Sequence, residues 1–284
     1  MVDTRLPLPG RLLDRVGRRT ARPALVAAGA MILVVVLAAT APRLLTSRDP
    51  LATAPASRLL PPSATHLFGT DLLGRDLFAR VVHGSALTLQ AALIAVAVGL
   101  VAGTVLGLLA GCLGGRAEEL LMRGVDVLLA IPGLLLSLAL VTALGFGTVK
   151  VALAVGLTSI AMFARVVRAE AARIVRMPYV EAARAGGTRW PIVILQHVLP
   201  NVAGAVLLYA AVDFGAVVLQ VSALSFLGYG APPPEPEWGS LIAEGRDYLG
   251  TAWWLTTLPG LVITATVLAA NRIAQAAGTA QENR

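Results

Sequence analysis

Apolar residues fall into long unbroken blocks along this chain, and the blocks end in arginine, glycine or proline. A helix of ~20 mostly apolar residues crosses the hydrocarbon of a bilayer. Ala24–Ala41 is one such block. Further ones run from about Leu87 to Leu113, Leu120 to Leu144, Val149 to Val167, Val202 to Leu227 and Ala252 to Ile273. The pattern predicts an all-α integral membrane protein with about six transmembrane helices. An even number of crossings puts both termini on one side. Pro42–Val82 has mixed polarity, contains prolines and offers no run able to cross, so it reads as an extramembrane segment of some forty residues.

The 284 residues are 57% hydrophobic, which suits a polytopic membrane protein. The 23 Lys and Arg outnumber the 16 Asp and Glu, but nearly all the cations are arginines at the ends of apolar blocks. That placement sets topology and argues against a nucleic-acid partner. Arg5, Arg11, Arg15, Arg18, Arg19 and Arg22 precede the first block, and Arg165, Arg168, Arg173, Arg176, Arg184 and Arg189 crowd the stretch before the fifth. The positive-inside bias assigns both clusters, and with them both termini, to the cytoplasm. The last loop, with Glu235, Glu237, Glu244 and Asp247 against Arg246, is acidic and fits the outside. Ala24–Ala41 exceeds the ~7–15 residues of a signal-peptide core and is followed by more spans, so it reads as an uncleaved first helix. Arg18-Arg19 lacks the rest of a twin-arginine pattern. Cys112 is alone, which excludes an intrachain disulfide.

Within the blocks, Gly99, Gly103, Gly107 and Gly111 recur every fourth residue and stack into one stripe of a helix. Such stripes let backbones approach closely in lipid, and ordinary intrachain packing is the expected use. Pro132-Gly133 weakens or kinks the third span. Arg123 and Asp126 are one turn apart and spaced to pair.

Between the fourth and fifth spans lies YVEAARAGGTRWPIVILQHVLPN, residues 179–201. Pro178 presets a helical turn, Tyr179–Ala185 are good helix formers, and Gly186-Gly187 end the helix. Tyr179, Ala182, Ala183 and Gly186 share one face, small except for the tyrosine. Glu181 and Arg184 lie on another, spaced for an ion pair. Trp190-Pro191 open a second, more apolar piece, and Leu199-Pro200-Asn201 lead into the fifth span. The expected geometry is helix, sharp turn, helix. Such a hairpin can lie on headgroups, but a smooth alanine face and a glycine turn suit insertion into a groove on a partner protein.

This stretch resembles the EAA motif of bacterial ABC-importer permeases, with Glu181, Ala182, Ala183, Gly187, Leu199 and Pro200 in the motif positions. His197 stands where that family usually has an aliphatic residue. HLFGTDLLGRDLFARVVHG (66–84) and LSFLGYGAPPPEPEWGSLIAEGR (224–246) are similar to segments of the C-type permease of dipeptide, oligopeptide and nickel importers. Taken from the residues alone, these two segments suit structural turns, with Asp71 as a helix cap and the prolines stiffening a loop. The resemblance implies a type-1 ABC importer transmembrane domain in the inner membrane. The expected organisation is a cytoplasmic arm (1–22), a first helix (23–42), an extracytoplasmic segment (43–85), a five-helix core (86–275) whose coupling loop spans 177–201, and a cytoplasmic tail (276–284). It further implies a homologous B-type permease, two ATPase subunits or domains, an extracytoplasmic substrate-binding protein and surrounding lipid as partners. Tyr179, Glu181, Ala182, Ala183, Arg184, Gly187, Leu199 and Pro200 are then the ATPase-coupling residues.

The chain has no phosphate-binding loop: its single lysine, Lys150, follows Val149 rather than glycine. It is expected to be non-catalytic and to hold no cofactor or metal, with ATP and Mg bound by the ATPase. His66, His83 and His197 are expected to serve as structural hydrogen-bonders. A proton-coupled secondary transporter is the rival reading, resting on Asp213 inside the fifth span. No inverted hydropathy repeat accompanies it. An intramembrane enzyme needs a nucleophile and base that the sequence does not supply. Dipeptides, oligopeptides, nickel chelates and haem all remain open as cargo.

Overall fold

The computed structural model describes residues 10–282, with side chains from 23 to 279. Its helices are α1 (Gly10–Thr40), α2 (Leu77–Leu113), α3 (Gly115–Leu129), α4 (Gly133–Leu144), α5 (Thr148–Val175), α6 (Pro178–Ala185), α7 (Trp190–Val193), α8 (Leu199–Phe226), α9 (Trp238–Gly245) and α10 (Trp254–Glu282). Among the described residues the only β feature is an isolated bridge between Thr70 and Asp76.

Among the described residues, five helices are long and apolar enough to cross a membrane: Pro23–Thr40, Leu77–Leu113, Thr148–Val175, Trp190–Phe226 and Trp254–Thr279. A sixth crossing is available among the described residues only if one bent helix pair counts as a single span. The span expected over Leu120–Leu144 divides into α3 and α4, which meet at 92°. Pro132 causes the break: it has no N–H for the helical ladder, and its ring disfavours helical backbone at Ile131.

The α2–α5 contact is the spine of the molecule. Gly99, Gly103, Gly107 and Gly111 all face α5, and a Cβ at Gly103 would lie 2.3 Å from the Cβ of Phe163 and 2.8 Å from the carbonyl oxygen of Ile160. From the other side, a Cβ at Gly156 of α5 would lie 2.9 Å from the Ala95 carbonyl oxygen. Lipid tails are as apolar as leucine, so helices in a membrane gain from close van der Waals fit rather than from hydrophobic burial. The glycine stripe supplies that fit within one chain. Ion pairs hold α3 alongside α5, with Arg168 on Glu118 and Arg165 on Asp126. Arg123 pairs with Glu119, one turn back at 2.6 Å, and not with Asp126 as its spacing suggested. Asp126 is taken instead by Arg165, because it faces α5.

Contacts at helix ends fix the two poles. One pole gathers the ends of α2 and α5, the start of α8 and the end of α10, where Gly278 lies against Leu208. The other gathers residues 42–76, the start of α2, α9 and the start of α10. There the Trp254 indole donates to the Thr70 carbonyl at 3.2 Å, and the Trp238 indole donates to the Val81 carbonyl at 2.9 Å.

Candidate functional site

The hairpin formed by α6 and α7 stands at the first pole. Pro178 occupies the first turn of α6, where its missing N–H costs nothing. The helix stops in a Schellman arrangement: the Thr188 N–H donates to the Ala183 carbonyl at 3.1 Å and the Gly187 N–H to the Arg184 carbonyl at 3.0 Å. Gly187 is the left-handed residue this closure requires, with φ +84°. α7 then restarts and runs into α8 without stopping at Leu199-Pro200. Residues Ile194–Val198 form a π-helical turn, and Pro200 lies in the first turn of α8. A proline there cannot donate to the previous turn, and the widened turn absorbs it. Asn201 Nδ2 donates to the His197 carbonyl at 2.6 Å.

Three valines seat the hairpin. Val180, Val193 and Val198 are fully buried and join Ile174, Val167 and Val202 in one apolar cluster between the ends of α5 and α8. They carry no motif, and their spacing in the sequence gave them no prominence. Tyr179 (46% exposed), Glu181, Ala182, Arg184 and Gly187 remain on the surface, with Ala183 and Leu199 partly covered and Pro200 exposed. The expected Glu181–Arg184 pair is absent among the described residues. The Arg184 guanidinium instead lies 4.7 Å over the Trp190 ring, bracing α6 against α7. His197 makes no side-chain hydrogen bond among the described residues, and its ring approaches Tyr179 at 6.3 Å between centroids. The result is a knuckle anchored by its valines, whose outward face sets Tyr179, Glu181 and Arg184 among small residues such as Ala182 and Gly187. It can dock into a protein groove and carry force to α5 and α8 together.

The second pole is tied by charge. Asp71 Oδ2 accepts from Arg75 Nε at 2.6 Å and Arg80 Nη1 at 2.7 Å, and Arg80 Nη1 also donates to Glu244 Oε2 at 2.6 Å. Asp71 is therefore the centre of an ion network and not a helix cap. Its Oδ1 accepts from the backbone of Leu73 and Arg75, which folds the turn. Asp76 caps α2 through the Ala79 N–H at 2.9 Å, and its other oxygen lies 2.8 Å from His66 Nδ1. The His83 ring bonds the Ala79 carbonyl. The segments 66–84 and 224–246, separate in sequence, thus meet through Arg75, Arg80 and Glu244.

The family described as binding-protein-dependent transport system inner membrane component matches residues 103–284. The chain belongs to this family. It is 39% identical over 250 residues to the probable D,D-dipeptide transport system permease protein of Escherichia coli (strain K12), covering 88% of this chain and 84% of that protein. It is 42% identical over 219 residues to the di/tripeptide transport system permease protein of Pseudomonas aeruginosa (strain UCBPP-PA14), covering 75% and 72%. A solved amino acid ABC transporter shares the fold, with a TM-score of 0.54 at 15% identity, over 70% of this chain and 92% of that one. As a member of the inner membrane component family, the chain is a multi-pass permease subunit of an ABC importer, a kind of protein that in general works with ATPase and substrate-binding partners. This identity leaves the proton-coupled reading without support.

Proposed function

We propose that this permease pairs with a homologous B-type permease to line a passage for short peptides, and that the α6–α7 knuckle is its coupling element. Two ATPase subunits or domains bind ATP and Mg, while this chain binds neither. Both termini and the knuckle lie in the cytoplasm, and residues 43–85 lie outside, where a substrate-binding protein delivers cargo. Closure of the ATPases drives the knuckle, and α5 and α8 move with it to switch access between two packed states. The arginine bias supports the orientation. The peptide cargo is supported by the relatives, whose names give dipeptide and di/tripeptide transport.

The observation that carries the coupling role is the contrast within α6: Val180 is sealed into the bundle while Tyr179, Glu181 and Ala182 stand free beside it. The test is co-purification with the ATPase. Ala183→Arg brings a long cation to the docking face and is expected to abolish capture of the ATPase, while leaving the permease in the membrane. Undiminished capture by that variant would refute the assignment.

A further inference from the structure

Side-chain polar atoms of the membrane-spanning helices, on Asp213, Gln220, Ser222 and Asn271, are buried without a hydrogen bond among the described residues, and two of them share one face of α8. Asp213 Oδ2 and Gln220 Oε1 are shut off from solvent and make no hydrogen bond among the described residues. Both belong to α8 and lie seven residues apart, two turns of helix, so they share a face with Tyr209, Ala216 and Ala223. Ala216, exposed between them, leaves space that a larger residue would fill. Beyond Gln220 the wall is also low, because its Nε2 lies against Gly133, the first residue of α4 after the break. The carboxyl group lies beside Ser159 and Tyr209, and it forms no ion pair among the described residues. A carboxylate and an amide held this way are costly in hydrocarbon, and the cost is recovered when a complementary group arrives.

We propose that this face of α8 reads the cargo itself: Asp213 takes the N-terminal ammonium of a peptide, and the Gln220 amide pairs with a peptide group further along. The inference rests on the peptide reading above. Seven residues of helix rise about 10 Å. An extended peptide advances about 3.4 Å per residue, so the two groups are spaced for roughly two or three residues. Neither contact touches a cargo side chain, so the site selects length and a free amino terminus and is indifferent to sequence.

The test uses the assembled importer in lipid nanodiscs, without its binding protein, with tri-alanine and N-acetyl-tri-alanine as probes and saturation-transfer NMR as the readout. Asp213→Asn should weaken tri-alanine about tenfold, the scale of one charge-assisted hydrogen bond, and leave the weaker acetylated probe unchanged. Asp213→Glu should retain tri-alanine, and Gln220→Leu should weaken both probes. The site is refuted if wild type binds neither probe, if Asp213→Asn weakens both equally, or if that variant loses its co-permease, which would make a partner side chain the occupant. Uptake by the complete importer separates the two levels. No uptake of tri-alanine overturns the peptide reading, whereas normal uptake with unchanged affinity in Asp213→Asn overturns this site alone.

Discussion

Arg80 Nη1 lies 2.6 Å from Glu244 Oε2, joining the first turn of α2 to α9 across most of the chain. Arg80 is 1% exposed and also holds Asp71, so its removal leaves Arg75 alone to serve two carboxylates, Asp71 and Glu244. Breaking a buried pair from one side costs about 3–5 kcal/mol. Arg80→Ala is therefore expected to lower the melting temperature sharply, read by fluorescence of Trp238 and Trp254, whose indoles are fixed at this pole. Glu244→Gln should be milder, because Glu244 is 31% exposed and water can take its place. Equal effects of the two substitutions would contradict this account.

The glycine stripe makes a sharper prediction. At Gly103 a Cβ meets the Phe163 Cβ and the Ile160 carbonyl, neither of which is a flexible end, so α2 must shift away from α5. Overpacking of this kind costs about 1–3 kcal/mol. Gly124, on α3, has nothing within 4 Å of its Cβ position. Gly124→Ala should be neutral or slightly stabilising, since alanine is the better helix former. Thermal melts of Gly103→Ala and Gly124→Ala should move in opposite directions.

Much of this architecture was legible in the sequence because spans, glycine stripes and turn glycines have local signatures. The blocks ending near Leu113 and Leu227 and the turn at Gly187 were read from periodicity and punctuation alone. What escaped was whatever depends on who stands opposite. Arg123 had Glu119 and Asp126 at comparable spacing, and only the position of Arg165 on α5 decided between them. Asp71 looked like a cap because capping is local, whereas its cations include Arg80, positioned by the fold. Val180, Val193 and Val198 are valines among many, and only the packing singles them out. The break at Pro132 was expected as a weakness, but its 92° angle depends on how α3 lies against α5.

Gly187 tests the knuckle through backbone strain. Its φ of +84° costs a residue with a Cβ roughly 1–2 kcal/mol, more for a branched one, and no neighbour lies within 4 Å to add a clash. Gly187→Val is thus expected to insert normally while reducing transport-coupled ATPase activity, because the Schellman closure between Ala183 and Thr188 opens. Asn tolerates left-handed backbone better than other residues with side chains, so Gly187→Asn should recover a large part of that activity. If the two variants behave alike, the loss does not come from the turn.

Glu237 ties stability to pH at the second pole. Its side chain is fully buried between the end of α8 and the start of α9, where one oxygen accepts from Ser225 Oγ and the other from the Ala231 N–H, each at 2.8 Å. Burial pushes its carboxyl above the ordinary 4.5, and the two donors offset this only in part. An acid that holds its proton more tightly when folded stabilises the fold most at low pH. That contribution is lost as pH rises from the ordinary value through the folded one, since ionisation then favours the unfolded chain. Gln at this position keeps an acceptor oxygen and never ionises. Glu237→Gln should therefore melt higher than wild type at neutral pH, with the difference shrinking toward pH values below the ordinary carboxylate range. A constant offset across the series would mean that hydrogen bonding, and not charge burial, governs this corner.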